Sequence, residues 1–327
     1  MTWLTYKENI PMQKPSFFDL TTEQGLLRTS IAVTLFIATI GIGFGLASGS
    51  FSIVFDGVYS LVDASMSGLS LVVVKLITTH VTSTQMSRKL RERFTMGFWH
   101  LEPMVLALNG ILLSGVAIYA LINAVSSLLE GGRHLEFGIA MVYALLTVIA
   151  CATIAIVEAR ANRSLGSDFV RMDVKGWVMS ASITAALLIA FCVGFAVQGT
   201  QWQWISPYID PAVLALVCLV IIPLPLSVVR QALADIFLVT PSDLKQHVDS
   251  VAQAFVSKHG LQSYRAYVAK VGRSREIELY FIVPEHMPAR TISEWDALRN
   301  EIGDAVGGEG PDRWITVVFT GDREWAE

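Results

Sequence analysis

The sequence predicts a membrane all-α protein of six transmembrane helices, followed by a small α+β ferredoxin-like (αββαβ) cytoplasmic C-terminal domain. Three observations predict it. The 327 residues are 53% hydrophobic and only 16% charged, with a mean hydropathy of +0.53, whereas a soluble domain carries roughly 25% charge. Apolar runs long enough to cross a bilayer, about 20 residues each, recur along the first 233 positions. From Asp243 the character changes, with 14 Asp/Glu and 10 Lys/Arg between there and Glu327. The chain thus divides into an N-terminal cytoplasmic tail (1–25), a transmembrane domain (26–240) and a C-terminal domain (241–327).

The tail is mixed and polar and carries no signal-peptide pattern. Phe17, Phe18 and Leu20 suit an interface, and Thr21 with Gln24 resembles a capping box. The first span covers about 29–49, where Gly41, Gly43 and Gly45 allow close helix approach. The second covers about 51–78. A basic connector with Arg88, Lys89, Arg91 and Arg93 against Glu92 leads to the third, about 102–129. The turn GGRHLEFG opens the fourth, about 137–157, which ends in a second basic connector with Arg160, Arg163 and Arg171. The fifth covers about 174–197 and is entered through Asp173. The link QGTQWQWISPY holds no Lys or Arg, and its Trp202, Trp204 and Tyr208 suit an interfacial belt. The sixth covers about 211–233 and should kink at Pro223 and Pro225, each of which removes a backbone donor. Lys and Arg concentrate in the second-to-third and fourth-to-fifth loops. The positive-inside rule therefore expects a multi-pass inner-membrane protein with both termini cytoplasmic.

Beyond Asp243 the pattern reads helix (about 243–259), strand (Ser263–Val271), GRS turn, strand (Glu276–Val283), helix (about 292–306) and strand (Trp314–Phe319). Alternating apolar residues in YRAYVAKV and IELYFIV fit a sheet with one face on helices. A domain this small buries little alone, so pairing with a second copy is expected.

Some functions are disfavoured. A net charge of −4 gives no reason to expect a nucleic-acid partner. Cys151, Cys192 and Cys218 are isolated in apolar runs and make no CxxC pattern. No Gly-rich nucleotide loop and no nucleophile-and-base constellation points to a pump driven by nucleotide or to an enzyme.

The stretch most charged with meaning is Ser50–Lys75, SFSIVFDGVYSLVDASMSGLSLVVVK. It is apolar enough to cross a bilayer yet carries Asp56 and Asp63, and a carboxylate at membrane depth costs about 2.5–3.5 kcal/mol on insertion scales. Seven residues make about two helical turns, so the two aspartates share a face with Tyr59 and Ser60 between them. That face offers oxygen atoms to a cation. Asp173 and Asp210 sit where helices begin, and each also fits a structural, capping role.

SFSIVFDGVYSLVD resembles the second-span signature of the cation diffusion facilitator family of cation/proton antiporters. MGFWHLEP (Met96–Pro103), VRMD (Val170–Asp173), YIDP (Tyr208–Pro211) and LVTPSD (Leu238–Asp243) resemble, in order, the family's later landmarks. The resemblance implies six spans, a homodimer and a transport site built from spans two and five. Position by position, the second-span ligands fall on Tyr59 and Asp63, and the fifth-span ligands on Gly176 and Ser180. A register shifted by three residues would instead make Asp173 a ligand and leave Trp177 at the other place. The family's loop histidine falls on Phe98, and the tail's metal-binding histidines fall near Tyr280, Asp296 and Phe319, so a degenerate member is implied.

The residues that remain are Asp56, Tyr59, Asp63, Asp173 and Ser180, an oxygen-only set that suits hard ions better than zinc. The reading is a secondary transporter with no bound cofactor. It would export a cation, a divalent metal such as Mn, Mg, Fe or Zn, against protons. Its partners are the lipid bilayer, the cation and proton, and a second copy of the chain. The alternatives are a non-transporting homologue acting as scaffold or partner subunit, and a transporter of a non-metal cation for which Tyr59 and Trp177 would stack.

Overall fold

A computed structural model describes residues 23–82, 92–165 and 168–327. The expectations for the N-terminal tail up to residue 22 and for Arg88, Lys89 and Arg91 lie outside the described residues. The helices are α1 (Glu23–Ser48), α2 (Phe51–Thr82), α3 (Leu101–Leu129), α4 (Phe137–Leu165), α5 (Asp168–Val197), α6 (Ser206–Ile221) and α7 (Pro223–Ile236). They are followed by α8 (Ser242–His259), β1 (Ser263–Val271), β2 (Ser274–Ile282), α9 (Ile292–Val306) and β3 (Arg313–Thr320). Among the described residues, six segments are long and apolar enough to cross a membrane: Gly25–Ser48, Phe51–His80, Leu101–Leu129, Phe137–Leu165, Asp173–Val197 and Gln203–Ile236. The outward sides of these helices carry large apolar residues such as Phe36, Leu46, Ile122 and Leu146, as lipid-facing surfaces do. The sixth segment is assigned as two helices, α6 ending at Ile221 and α7 beginning at Pro223, whose nitrogen has no N–H to donate.

The described residues form two compact units. One combines the chain up to Ser65 with Gly115–Ile222; the other combines Met66–Ser114 with Pro223–Glu327. In the first, α4 and α5 share the most extensive contact, and α1 packs on α4. Small residues set these distances. A Cβ on Gly57 of α2 would come within 2.8 Å of the Ala38 carbonyl of α1. One on Gly41 would land on the Tyr143 hydroxyl, whereas Gly43 faces open space. One apolar cluster joins Ile53, Phe137, Ala140, Tyr143, Leu187 and Phe191. Another joins Phe55 to Ala117, Ala120, Leu214 and Cys218, with Tyr59 at its edge.

In the second unit, β1 pairs antiparallel with β2 and β2 pairs parallel with β3, giving the order β1-β2-β3. The αββαβ order expected from the sequence is present. One face of the sheet, with Val268, Ile277, Leu279 and Phe281, packs on Val248, Ala252 and Phe255 of α8 and on Leu298 and Ile302 of α9. Thr291 caps α9 with a complete capping box to Glu294. In the same unit Arg273, in the turn between β1 and β2, pairs with Glu102 at the start of α3, 2.9 Å apart. Phe98, where the family's loop histidine would stand, is buried against Phe94 and His80. It is a packing residue.

Candidate functional site

Two polar groups in the first unit hold carboxyls at membrane depth with their needs only partly met, and a third carboxyl shows what full satisfaction looks like. Asp210, near the start of α6, is 1% exposed. It accepts the Ser50 hydroxyl at 2.6 Å and the Phe51 N–H at 3.0 Å, and its backbone carbonyl accepts the Ser52 hydroxyl at 3.0 Å. These donors lie at the first turn of α2, where backbone N–H groups lack helical partners. Asp210 therefore caps α2 across space.

Asp56 lies a turn further along α2 and faces Tyr143 of α4. Tyr143 is 3% exposed because Ile53, Phe137 and Phe191 close round its ring. Its hydroxyl is turned toward Asp56 and Thr147, but no contact there is close and aligned enough to be a hydrogen bond. Residues four apart share a helix face, so Tyr143, Thr147 and Cys151 form one stripe of α4. Cys151 is within electrostatic reach of Asp56, and its sulfur lies 3.8 Å from the Ser180 hydroxyl of α5. The Thr184 hydroxyl donates to the Ser180 carbonyl at 2.9 Å, which holds that stretch of α5. One carboxylate, three hydroxyls and a thiol from α2, α4 and α5 thus neighbour one another, and the oxygens among them suit a hard cation.

The second group stands at the other end of the same stripe. Glu158 of α4 is 3% exposed, and it faces Asp173 of α5. Oε2 of Glu158 and Oδ2 of Asp173 are both buried and accept no hydrogen bond. Ser30 of α1 stands beside Asp173, and the Trp177 indole N–H donates to the Ser30 hydroxyl at 2.9 Å. From Tyr143 to Glu158 is fifteen residues of one helix, about 22 Å along its axis at 1.5 Å per residue.

The structure thus distributes the five residues singled out from the sequence. Asp56 and Ser180 belong to the group around Tyr143. Tyr59 leans on Phe55, with ring centroids 5.6 Å apart, and Asp63 is within its electrostatic reach on the exposed side of α2. Asp173 belongs with Glu158. Gly176 is exposed and Trp177 is buried against Cys151 and Ala155, so the indole presents no open face on which a cation would stack. Among the described residues no three His, Cys, Asp or Glu side chains gather into a metal-ligand cluster. Sequence reasoning missed Tyr143, Thr147 and Glu158. For Tyr143 and Thr147 the signal was there in the four-residue spacing Tyr143, Thr147, Cys151 along an otherwise apolar span.

A chain with six apolar spans, and with carboxyls and hydroxyls lining the inward faces of its helices, is by class a polytopic membrane transporter. The family model for the cation efflux transmembrane domain matches residues 27–237, and the chain belongs to the cation efflux, or cation diffusion facilitator, family. Members of that family are transporters and not enzymes, and transmembrane cation transport is accordingly its activity. No curated protein matches the sequence.

Proposed function

We propose that this protein exports a divalent cation in exchange for protons, and that the cation is held between α2 and α5 by Asp56 and Ser180 with the Tyr143 and Thr147 hydroxyls. One observation carries the reading. A carboxylate in a membrane span faces a buried hydroxyl that has no hydrogen-bond partner, and a cation would supply what both lack. Tyr59 and Asp63 continue the acidic face of α2 and form the next station of the path. Rocking of helices about a midplane site is the way secondary transporters commonly alternate access. Under this reading the protein is a homodimer in the inner membrane with cytoplasmic termini. Its ferredoxin-like tail supplies a pairing surface.

The test is uptake into proteoliposomes carrying a pH gradient, with Zn²⁺, Mn²⁺, Mg²⁺, Fe²⁺ and Na⁺ offered in turn. The intact protein is compared with Asp56→Asn and Asp63→Ala. Uptake of one divalent ion that responds to the gradient and falls at least tenfold in Asp56→Asn supports the proposal. Uptake that survives Asp56→Asn unchanged refutes the assigned site. An intact dimer that moves none of the ions refutes transport and leaves a scaffold or partner subunit.

A further inference from the structure

We propose that Glu158 and Asp173 share a single proton and form a proton-binding station of their own, apart from the cation group around Asp56. The inference deepens the exchange reading and rests on it. Glu158 and Asp173 come from adjacent helices in extensive contact. They face each other inside the packed unit, and each directs a buried carboxyl oxygen that accepts no hydrogen bond. Two carboxylates are acceptors only, so facing one another they repel. One proton between them converts one partner into a donor and the clash into a hydrogen bond. A divalent cation would want more. It takes four to eight ligands, and no third acidic, histidine or cysteine side chain joins the pair among the described residues.

The surroundings fit a single proton. The elements packed around the pair are α1, α4 and α5. From α1, Ser30 stands beside Asp173; from α5, Trp177 donates to Ser30 and fixes it. The basic side chains nearest in sequence on these three helices, Arg28, Arg160, Arg163, Arg171 and Lys175, are all exposed. The pair also stands at the end of α4 and α5 where the Arg160–Arg171 connector lies, the end the positive-inside rule assigns to the cytoplasm. About 22 Å of α4 separates it from Tyr143. Between them that face of α4 carries Thr147 and Cys151 and then Ala155, which packs with Cys151 against Trp177. Protons and cation would then meet different side chains at two levels of α4.

Two measurements test the inference. The first is the carboxylic-acid carbonyl stretch in infrared spectra of the intact protein at neutral pH, against the double variant Glu158→Gln/Asp173→Asn. The intact protein should show a protonated carboxyl band that the double variant lacks; identical spectra in that region overturn the proposal. This readout stands even where no ion is transported, so it separates failure of the dyad from failure of the transport reading. The second is the ratio of cation uptake with and without a pH gradient. In Glu158→Gln and Asp173→Asn that ratio should fall to unity, while Asp56→Asn loses uptake in both conditions. Single variants whose uptake keeps the full response to the gradient overturn the proposal. So do variants that lose uptake in both conditions, as Asp56→Asn does, while keeping the intact protein's melting temperature.

Discussion

Replacing Asp210 by alanine separates a structural carboxylate from a transport ligand. The substitution removes the acceptor of the Ser50 hydroxyl at 2.6 Å and of the Phe51 N–H at 3.0 Å. A hydrogen bond to a charged group contributes about 1.5–3 kcal/mol net, so two sum to about 3–6 kcal/mol. Removing the carboxylate also relieves its own cost of burial, which offsets part of that sum. The expected net loss is about 2–4 kcal/mol. Asp210→Asn keeps one oxygen acceptor and should lose about 1–2 kcal/mol. The order of stability should therefore be parent, Asp210→Asn, Asp210→Ala. The assay is unfolding in detergent micelles, by heat or denaturant, followed by the helical circular dichroism signal. Cation uptake is measured on the same samples at a temperature where all three remain folded. Asp210→Ala as stable as the parent but dead in uptake would refute the capping argument and make Asp210 a ligand.

Other outcomes follow from the same packing. A Cβ on Gly194 of α5 would run into the Phe137 ring and Ile209, so Gly194→Ala should cost about 1–3 kcal/mol by overpacking, read as a lowered melting temperature. Gly41→Ala places its methyl on the Tyr143 hydroxyl; it should reduce cation uptake several-fold without removing any proposed ligand, and unchanged uptake would count against Tyr143. Leu279 is fully buried in the tail sheet, and Leu279→Ala should cost about 2–5 kcal/mol, visible as faster hydrogen exchange along β2. His259 and Lys258 beside Glu301 hold its carboxyl below the usual glutamate range. A carboxyl lowered in the folded state contributes stability that is complete above its unfolded value of about 4.3 and is lost as pH falls through the lower folded value. The pair is largely solvent-exposed, so the effect is a few tenths of a kcal/mol. Glu301→Gln should be slightly less stable than the parent at pH 7, and the gap should close in acid.

The architecture was legible because hydropathy is a long signal. Spans of 24 or more residues average out single polar residues, and tail elements such as Ser263–Val271 and Ile292–Val306 fell where the residue pattern placed them. The same averaging blurred the ends. Hydropathy stops the fourth span at about 157, because Glu158, Arg160 and Arg163 lower it, yet α4 continues to Leu165. The fifth span was read from 174, yet α5 begins at Asp168. Cutting both helices short assigned Glu158 to a loop and left Asp173 without its neighbour. Asp210 was legible as structural but not in its target: it caps α2, a pairing 159 residues apart in the chain. Asp56 and Asp63 were read as one face of α2, yet Asp56 is half-buried toward Tyr143 while Asp63 is exposed; which helix Asp56 meets depends on how α4 is rotated, and α4 carries no strong apolar stripe to announce it.

Asp210, Asp56, Glu158 and Asp173, all buried or half-buried in the first unit, meet three environments, and the environments sort their roles better than their positions do. Asp210 meets donors only and has nothing left to bind. Asp56 meets a hydroxyl that has not closed on it, so the two together still lack a positive partner. Glu158 and Asp173 meet each other and lack only a proton. A cation site that also had to carry the proton would place both on the same oxygens, and each would leave only by direct competition. Separating them along α4 lets the proton act through the geometry of α4 and α5 rather than by contact. Ser180, seven residues after Asp173 on α5, is the side chain that would feel it. About 10 Å of rigid helix joins the two, so a shift of α5 that follows the pair's repulsion or relief moves a proposed cation ligand with it. The transport ratio of Asp173→Asn in a Ser180→Ala background decides this: coupling through α5 makes the two substitutions non-additive, and independent effects refute it.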